Sequence, residues 1–459
     1  MSSQNFSSLD LASDFLDNLK SLGYHTMTPI QSQALPLALA GQDLLAKGKT
    51  GSGKTAAFGI CLARKLRPSV SRPQSIVLCP TRELADQIAT ELRRLARRMP
   101  NIKVLTLTGG IPIGPQLRSL AHGAHIVVGT PGRIADHLRK RSLDLRNVNT
   151  LVLDEADRML DMGFIESVEC IVQQLPTKRQ TLLFSATFPD NILELSQKIL
   201  SNPVRIEAES NNAAPKIKQV FYQCKATEDF YSMLPIISKH AISRAIIFCQ
   251  TKVQCEDLAK SLKKKGLSAE AIHGDFEQRQ RDEILTMFSQ ESLSFLIATD
   301  VAARGIDVSQ LPAVINFELS RDPKVHIHRI GRTGRADAEG LAISIVRPRE
   351  TGRWQAVQEE MKQQLPLQTV PAIASSSTLP KPPMACIRIA SGKKQKMRPG
   401  DILGALIQGA GVPKDAIGKI KIFPFQSYVA IQRPLVQKAF KGLRSAQIKG
   451  RRHGMIILS

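Results

Sequence analysis

The sequence predicts an α/β protein with two parallel-sheet domains in tandem and a small α+β domain at the C-terminus. Short runs of apolar and β-branched residues alternate with helical patterns, and this alternation starts twice along the chain. Strands that alternate with helices favour a parallel sheet that is covered on both faces. The chain has 459 residues, 42% of them apolar, which is long enough for about three domains.

The individual elements support this division. The first series has four strand-like runs, at 75–79, 125–128, 150–153 and 181–184, and one clear helical pattern, at 83–99. The second series has strand-like runs at 245–248, 295–298 and 313–316. Two breaks rich in Asn, Ala, Ser and Pro, at 209–215 and 371–383, predict linkers. We therefore predict domains at 1–209, 216–370 and 384–459.

The formal net charge of +23 is concentrated near the C-terminus. Residues 381–459 contain sixteen Lys and Arg residues against two acids, Asp401 and Asp415, which gives this segment a net charge of +14. Such a segment attracts a polyanion, and nucleic acid is the first candidate. A membrane surface is a weaker candidate, because no basic amphipathic helix with a strong apolar face stands out.

Several protein classes are disfavoured by composition. The chain has no run of about 18 apolar residues, and its first residues lack the basic and apolar regions of a signal peptide. The seven cysteines are scattered without a Cys-x-x-Cys pair, which argues against a zinc site and against a disulfide scaffold. We therefore expect a cytoplasmic protein that does not bind a membrane.

A phosphate-binding loop is the most specific motif. Residues Gly48-Lys-Thr-Gly-Ser-Gly-Lys-Thr55 fit the full pattern Gly-x4-Gly-Lys-Ser/Thr, after a strand-like run and before a helix-prone one. The glycines let backbone N–H groups converge on phosphates beside a helix N-terminus. Lys54 is expected on the β- and γ-phosphates, and Thr55 on Mg²⁺.

Two acids complete the predicted nucleotide site. Asp154 and Glu155 follow the buried strand that ends at Leu153, where open α/β sheets place ligands. One carboxylate there can hold Mg²⁺, and the next can orient a water for attack on the γ-phosphate. The sequence has neither the Asn/Thr-Lys-x-Asp motif of GTPases nor the Leu-Ser-Gly-Gly-Gln motif of transporter ATPases.

A basic motif in the second series suggests a second contribution to that site. Arg332 and Arg335 lie three residues apart, so that on a helix both face the same side. Two guanidinium groups suit a triphosphate whose charge grows during transfer. A basic helix that faces solvent or nucleic acid is the equally weighted alternative.

Together these motifs resemble those of the DEAD-box RNA helicases. Thr28-Pro-Ile-Gln31 resembles the Q motif, Asp154-Glu-Ala-Asp157 is the naming motif, and Ser185-Ala-Thr187 follows it. Further matches lie at 80–84, 109–110, 130–133, 278–281, 298–300, 304–307 and 328–335. The resemblance covers about residues 1–360, and one departure is Gly48, where the family often has Ala.

The resemblance implies two RecA-like domains that bind ATP, Mg²⁺ and RNA. Residues implied in nucleotide binding are Phe6, Tyr24, Gln31, Gly48, Lys49, Thr50, Gly51, Ser52, Gly53, Lys54, Thr55 and Asp307. Those implied in catalysis are Lys54, Asp154, Glu155, Arg332 and Arg335, with Thr55 and Asp154 on the metal. Those implied in coupling hydrolysis to strand separation are Asp157, Ser185 and Thr187. Those implied in RNA binding are Thr81, Arg82, Gly110, Thr130, Arg133, Arg281 and Thr299.

The basic tail resembles the C-terminal domain of DbpA-type helicases, through 392–406 and 417–420. That resemblance implies an RRM-like βαββαβ fold that directs the enzyme to large-subunit (23S) ribosomal RNA and the pre-ribosomal large subunit. The expected elements are strand 385–390, helix 399–408, hairpin 417–431, helix 435–443 and strand 454–458.

The tail departs from the RRM pattern in its aromatic residues. An RRM stacks bases on aromatic side chains of its two central strands, and here only Tyr428 falls at such a position. We therefore expect RNA contacts mostly from basic side chains rather than from a stacking platform. These are Lys393, Lys394, Lys396, Lys449, Arg451 and Arg452.

The resemblance thus implies an RNA-dependent ATPase and helicase that separates short RNA duplexes locally and works as a monomer. A DNA-translocating helicase is disfavoured by the Q motif and by Ser185-Ala-Thr187. A non-enzymatic RNA-binding scaffold would lack some of Lys54, Asp154 and Glu155, and all three are present. An ATP-gated RNA clamp or ribonucleoprotein remodeller uses the same residues and stays open as an alternative.

Overall fold

The computed structural model describes residues 5–48, 51–207, 217–225, 232–303, 311–334, 339–371 and 379–458. Three sheets are present, two of seven strands and one of four. The chain divides into two compact units, and the second unit contains both the second seven-stranded sheet and the C-terminal sheet. Within the described ranges, no helix combines the length and the apolar character that crossing a membrane requires.

The first domain is a parallel sheet with helices on both faces. Its strands are β1 (Leu44–Lys47), β2 (Ser75–Leu78), β3 (Val104–Leu107), β4 (Ile126–Gly129), β5 (Thr150–Leu153), β6 (Gln180–Ser185) and β7 (Val204–Glu207). Its helices are α1 (Ser13–Ser21), α2 (Pro29–Leu39), α3 (Lys54–Lys65), α4 (Arg82–Leu95), α5 (Gly114–Ala121), α6 (Pro131–Arg139), α7 (Ala156–Asp161), α8 (Ile165–Gln173) and α9 (Asp190–Ile199). The strand order is β3-β4-β2-β5-β6-β1-β7.

The second domain repeats this architecture. Its strands are β8 (Ile217–Gln223), β9 (Ala245–Cys249), β10 (Ala269–Ile272), β11 (Phe295–Thr299), β12 (Ala313–Asn316), β13 (Gly340–Val346) and β14 (Leu367–Thr369). Its helices are α10 (Met233–Lys239), α11 (Lys252–Lys264), α12 (Gln278–Ser289), α13 (Asp300–Ala303), α14 (Pro323–Ile330) and α15 (Thr351–Met361). The strand order is β10-β11-β9-β12-β13-β8-β14.

The C-terminal domain has the βαββαβ order that its sequence predicts. Its elements are β15 (Met384–Ile389), α16 (Pro399–Gly404), β16 (Ile417–Ile422), β17 (Ser427–Gln432), α17 (Val436–Ser445) and β18 (Met455–Leu458). The sheet is antiparallel in the order β16-β17-β15-β18. One difference is that the helix predicted over 399–408 continues beyond α16 as a π-helix, Ala405–Gly409.

The predicted fold class is confirmed, because both seven-stranded sheets are parallel and their central strands are buried on both faces. In the first domain, alternate residues of one strand face opposite cores: Ile76 and Leu78 of β2 belong to one cluster, and Val77 belongs to the other. The strands can therefore be continuously apolar, as the sequence shows. The helix predicted over 83–99 is slightly shorter, because its last turn ends at Leu95.

The second domain contains a buried histidine, His326. His326 lies in α14, with its Nδ1 atom 3.5 Å from Asn316 Nδ2 and its Nε2 atom 3.5 Å from Gln219 Oε1. Burial, with a smaller contribution from Arg329, lowers the pKa of His326 from 6.5 to about 4. The unfolded chain therefore binds a proton between these values that the folded chain excludes.

We expect the stability that His326 contributes to be complete above pH 6.5 and to be lost as the pH falls towards 4, by about 3 kcal/mol in total. Trp354, the single tryptophan, packs against the cluster that contains Phe221, and the Phe221 ring lies 5.8 Å from that of His326. Its fluorescence should report denaturant unfolding of this domain at several pH values. A His326→Gln variant with the same pH slope as the wild type would contradict this assignment.

Candidate nucleotide and RNA site

The predicted site residues of the first domain follow the carboxyl ends of its strands. Gly48 comes directly after β1, Asp154 directly after β5, and Thr187 shortly after β6. Thr81 and Thr130 follow β2 and β4 in the same way. Because all these strands are parallel, the motifs converge on one edge of the sheet, where open α/β sheets bind ligands.

The phosphate loop has the geometry that its glycines predict. Gly51 and Gly53 have positive φ angles of 85° and 96°, and α3 begins directly afterwards at Lys54. Lys54 is buried, donates a hydrogen bond to Gly48 O at 2.8 Å, and has its Nζ atom 3.9 Å from Asp154 Oδ1. The loop residues Lys49 and Thr50 lie outside the described residues.

Gln31 connects the Q motif to the phosphate loop. Its Oε1 atom accepts from Thr28 N at 2.9 Å, and its Nε2 atom donates to Gly53 O at 3.1 Å. A Cβ atom on Gly53 would lie 2.5 Å from Gln31 Nε2, so that this contact also requires glycine. The resemblance to the Q motif implies that Gln31 binds the nucleotide, and the structure adds a hydrogen bond from Gln31 to the phosphate loop itself.

The two aromatic residues that the resemblance implies in nucleotide binding, Phe6 and Tyr24, are neighbours. The rings of Phe6 and Tyr24 meet edge to face with 5.9 Å between centroids. Phe6 is buried, while Tyr24 is half-buried and donates its hydroxyl to Glu91 Oε1 at 2.5 Å. Burial and the Glu91 carboxylate both raise the pKa of Tyr24, so that its hydroxyl stays protonated.

The donors around the loop fit a triphosphate and a divalent cation. Ser52 Oγ and Thr28 Oγ1 are buried and have no hydrogen-bond partner among the described residues. They lie beside the N-terminus of α3, a 12-residue helix that favours anions at this end. Thr55 and Asp154 supply the hydroxyl and carboxylate oxygens that Mg²⁺ prefers. These residues are therefore suited to hold Mg²⁺ together with a nucleotide.

Both acids of the pair, Asp154 and Glu155, are buried. Burial raises the pKa of Asp154 to about 6, and the charge of Lys54 opposes this shift. Glu155 adopts a left-handed φ of 53°, which is uncommon for a residue with a side chain. Its Oε2 atom accepts from Arg158 Nη1 at 2.9 Å. Arg158, which the sequence did not point to, therefore takes up one acceptor oxygen of Glu155.

The three residues predicted to couple hydrolysis to strand separation form one network. Asp157 N donates to Ser185 Oγ at 3.2 Å, and Ser185 Oγ donates to Thr187 O at 2.7 Å. Thr187 donates to Asp157 Oδ2 from its N atom at 3.0 Å and from Oγ1 at 2.9 Å. Ser185 O also accepts from Gly48 N at 2.9 Å, so that this network is joined to the phosphate loop.

The predicted RNA-binding residues of the first domain form a second group along the same edge. Gly110 has a φ of 69°, and a Cβ atom there would lie 1.7 Å from Arg82 Nη1, so that the guanidinium packs directly on the backbone. Arg133 Nη2 donates to Ile111 O at 2.9 Å. Thr81 caps α4, with its side chain accepting from Leu84 N at 3.3 Å, and Thr130 is the N-cap residue of α6.

In the second domain, α14 ends at Ile330, so that Arg332 lies beyond this helix rather than on it. Arg329 is buried, donates to both carboxylate oxygens of Asp300 at 2.6 and 2.8 Å, and lies over the Phe248 ring. This arginine, which the sequence analysis did not single out, therefore anchors α14 to the end of β11. Arg332 is buried, whereas Arg335 and Asp307 lie outside the described residues.

The two remaining predicted RNA contacts of the second domain lie near the carboxyl ends of its strands. Thr299 is the last residue of β11 and is half-buried. Arg281, on α12, donates from Nη1 to His273 O at 3.3 Å. His273 directly follows β10, so that α12 begins at the same edge of the sheet as Thr299.

Helix α12 of the second domain also contacts the C-terminal sheet. Glu283 Oε2 accepts from Arg388 Nη1 at 2.7 Å and from the Tyr428 hydroxyl at 3.1 Å. Just beyond this helix, Gln290 Nε2 donates to Lys419 O at 2.7 Å. Arg279 Nη2 donates to Gln426 Oε1 at 3.1 Å. The contacts involve both central strands, β15 and β17, which carry the base-binding face in an RRM.

This contact corrects the expectation for Tyr428. From the sequence, Tyr428 is predicted to bind RNA. In the structure, its side chain is fully buried between β17 and α12. Burial and the negative charge of Glu283 raise its pKa, so that the hydroxyl stays a donor to that carboxylate. In this arrangement the ring is not accessible to a base.

The predicted basic contacts of the C-terminal domain have a different environment from Tyr428. All six are exposed to solvent: Lys393, Lys394, Lys396, Lys449, Arg451 and Arg452. Lys449 donates to Lys396 O at 2.9 Å, which holds these two parts of the chain together. The charge of the tail is therefore displayed at the surface rather than neutralised in the core.

Comparisons with known proteins agree with this geometry. The DEAD/DEAH box helicase family matches residues 28–195, the helicase conserved C-terminal domain matches 226–337, and the DbpA RNA binding domain matches 386–455. The ATP-dependent RNA helicase DbpA of Escherichia coli (strain K12) is 49% identical over 436 residues, which is 95% of each chain. The ATP-dependent RNA helicase CshA of Listeria monocytogenes serovar 1/2a is 43% identical over 79% of this chain and 70% of that protein.

Solved structures lead to the same family. Dbp5 of S. cerevisiae bound to RNA and ADP BeF3 superimposes with a TM-score of 0.72 at 32% identity, covering 80% of this chain and 96% of that one. The similarity thus extends over the two parallel-sheet domains, and the C-terminal match adds the third. The chain therefore belongs to the DEAD-box ATP-dependent RNA helicases, in the group that carries a DbpA RNA-binding domain.

Proposed function

We propose that this RNA helicase separates short RNA duplexes locally and that its C-terminal domain directs it to 23S ribosomal RNA during assembly of the large ribosomal subunit. One observation carries this proposal. Helix α12 holds Arg281, a predicted RNA contact of the motor, and the same helix is bonded through Glu283 to Arg388 of the C-terminal domain. An RNA bound by the basic tail would therefore lie beside the RNA-binding residues of the second domain.

For ATP hydrolysis, the proposal assigns a role to each residue of the first domain. Lys54 and the loop amides would bind the phosphates, while Thr55 and Asp154 would hold Mg²⁺, which supplies positive charge to the phosphate oxygens. Glu155 would accept the proton of the attacking water. Arg332 and Arg335 of the second domain would stabilise the charge that develops on the γ-phosphate, and Asp307 would contact the bound nucleotide.

For RNA, we propose that contacts with phosphates and 2′-hydroxyl groups dominate in the motor. Such contacts position a strand without reading its sequence, so that preference has to come from the C-terminal domain. The DbpA RNA-binding domain match and the +14 charge of residues 381–459 support this assignment. We further propose a cytoplasmic monomer, consistent with seven free cysteines, six of them buried.

The proposal is tested by strand separation with two substrates that share one short RNA duplex. In one substrate the duplex is attached to a fragment of 23S ribosomal RNA, and in the other to an unrelated RNA of equal length. We expect ATP-dependent separation of both, and faster separation of the first. Equal rates would refute the targeting role. ATP-dependent retention of RNA without strand separation would favour the alternative of an RNA clamp.

The coupling network yields a further prediction. Thr187→Val removes the hydroxyl that donates to Asp157 at 2.9 Å and leaves the backbone donor in place. We expect strand separation to fall by about tenfold, the effect of one hydrogen bond to a charged group, while RNA-stimulated ATP hydrolysis falls much less. Both rates are measured in the same samples, with Thr187→Ser as the control that keeps the hydroxyl. An equal loss of both activities would contradict the coupling role.

A further inference from the structure

The tip of the β16–β17 hairpin carries an exposed aromatic ring that the functions above do not use. Phe425 is 66% exposed, which is the largest value among the exposed large apolar side chains of the described residues. Its neighbour Phe423 is half-buried and packs edge to face on Tyr428, with 5.5 Å between the ring centroids. Packing against the core therefore explains the aromatic side chain at Phe423, but it does not explain the one at Phe425.

The backbone around Phe425 is held on several sides. Phe423 N donates to Gln426 O at 2.8 Å, which closes the turn. The Gln426 side chain is buried and accepts from Arg279 of α12 at 3.1 Å. The turn is therefore fixed both internally and against the second domain, so that an exposed ring on it loses little conformational freedom on binding.

A lysine-rich segment is bonded to the same turn. Lys393 N donates to Phe423 O, and Lys394 N donates to Pro424 O, each at 2.9 Å. A Cβ atom on Gly392 would lie 2.2 Å from Phe423 O, so that only glycine allows this close approach. The side chains of Lys393 and Lys394 are exposed, as is that of Lys421 at the base of the turn. An apolar ring thus lies among cationic groups.

We propose that Phe425 is a nucleobase-stacking residue and that Lys393, Lys394 and Lys421 bind the adjoining phosphates of a single-stranded RNA segment. Aromatic rings beside a positively charged track are the usual means of binding single-stranded RNA. In an RRM, the face formed by the two central strands stacks the bases. Here α12 covers that face, where Glu283 contacts Tyr428. We therefore place base stacking at the edge of the domain. This inference rests on the proposed RNA-targeting function and adds the site of a base contact.

The turn that carries Phe425 is held by the start of α12. Arg279, which donates to Gln426, and Arg281, a predicted RNA contact of the second domain, both lie in the first turn of this helix. Side chains two positions apart on a helix face different sides, so that a strand bound at Arg281 would pass over the start of α12 to reach Phe425. The stacked base would belong to a single-stranded segment next to the structured RNA that the basic tail binds.

The test uses the full-length protein and two probes: a fluorescent 23S ribosomal RNA fragment and a single-stranded oligouridine. We expect Phe425→Leu, which keeps an apolar side chain but removes the ring, to weaken binding of both by about tenfold. Phe425→Trp should bind like the wild type. Ile407→Ala, which truncates an exposed apolar residue on the π-helix of the same domain, is the matched control and should also bind like the wild type.

Salt dependence separates stacking from charge. The loss in Phe425→Leu should be the same at low and high salt, whereas Lys393→Gln should lower the salt slope by about one unit. Ultraviolet crosslinking of oligouridine should map to the hairpin tip in the wild type and disappear in Phe425→Leu. Wild-type affinity and crosslinking in Phe425→Leu would overturn the inference. A wild type that binds the 23S fragment no better than unrelated RNA would instead refute the targeting proposal, while the oligouridine results still decide on stacking.

Discussion

Glu155→Gln should bind ATP and RNA like the wild type and hydrolyse ATP about 10²- to 10⁴-fold more slowly, the contribution typical of a positioned general base. The amide keeps the size and hydrogen-bonding oxygen of the carboxylate, so that the contact with Arg158 at 2.9 Å can persist. It does not accept a proton from water at neutral pH. Glu155 is buried just after β5. We therefore do not expect a carboxylate on the protein surface to take over its role as the general base.

The measurement is single-turnover hydrolysis with saturating RNA, together with ATP affinity determined separately. Asp154→Asn is the informative comparison, because it removes a predicted Mg²⁺ ligand and should weaken ATP binding as well as hydrolysis. Turnover of Glu155→Gln at the wild-type rate would remove Glu155 from its role. Loss of ATP binding in Glu155→Gln would show that the residue holds the nucleotide or the loop instead.

Removal of residues 371–459 should abolish the preference for 23S ribosomal RNA and leave RNA-stimulated ATP hydrolysis. Specific nucleic-acid binding typically exceeds non-specific binding by 10³-fold or more, so that the affinity for the 23S fragment should fall by about that factor. The affinity for unrelated RNA should fall less. The deletion takes away sixteen basic residues together with the β15–β17 face that contacts α12.

A point variant tests whether the position of the C-terminal domain matters when the domain itself is still present. Glu283→Lys reverses the charge that Arg388 and Tyr428 contact at 2.7 and 3.1 Å, while the tail stays covalently attached. We expect it to retain binding of the 23S fragment but to lose the faster separation of a duplex attached to that fragment. A truncated protein with unchanged RNA preference would contradict the targeting role, whatever the behaviour of Glu283→Lys.

The sequence places the predicted nucleotide-site residues of the first domain at one edge of its sheet, because each of them follows a strand. Gly48 and Asp154 both follow apolar strand-like runs, and in a parallel sheet the carboxyl ends of all strands share one edge. Their placement at this edge therefore needs no knowledge of strand order, whereas their closeness along the edge depends on it, since only β6 separates β1 from β5. The bond between Gln31 and Gly53 could not be predicted in the same way, because it depends on the side-chain conformation of a residue in another element.

The sequence did not predict the contacts that join side chains of distant elements. Tyr428 has the position of a base-stacking residue in its own domain, and nothing near it in the sequence shows that Glu283, 145 residues earlier, covers it. Arg329 looks equivalent to Arg332 in the motif, but its guanidinium donates to Asp300, to Asn316 Oδ1 and to Glu318 O. The strands β3, β7, β8, β10, β13 and β14 were not predicted either. Of these, β3, β7, β10 and β14 are short edge strands, whereas β8 and β13 lie inside the second sheet.

We expect ATP hydrolysis by this helicase to require bound RNA, because we propose that Arg332 and Arg335 of the second domain act on the nucleotide held by Lys54 and Glu155 of the first. The steady-state ATP hydrolysis rate of the full-length protein, measured with and without added RNA, tests this. We expect slow hydrolysis of ATP by the protein alone, a steep rise with RNA, and a smaller response to DNA. Equal rates with and without RNA would contradict it.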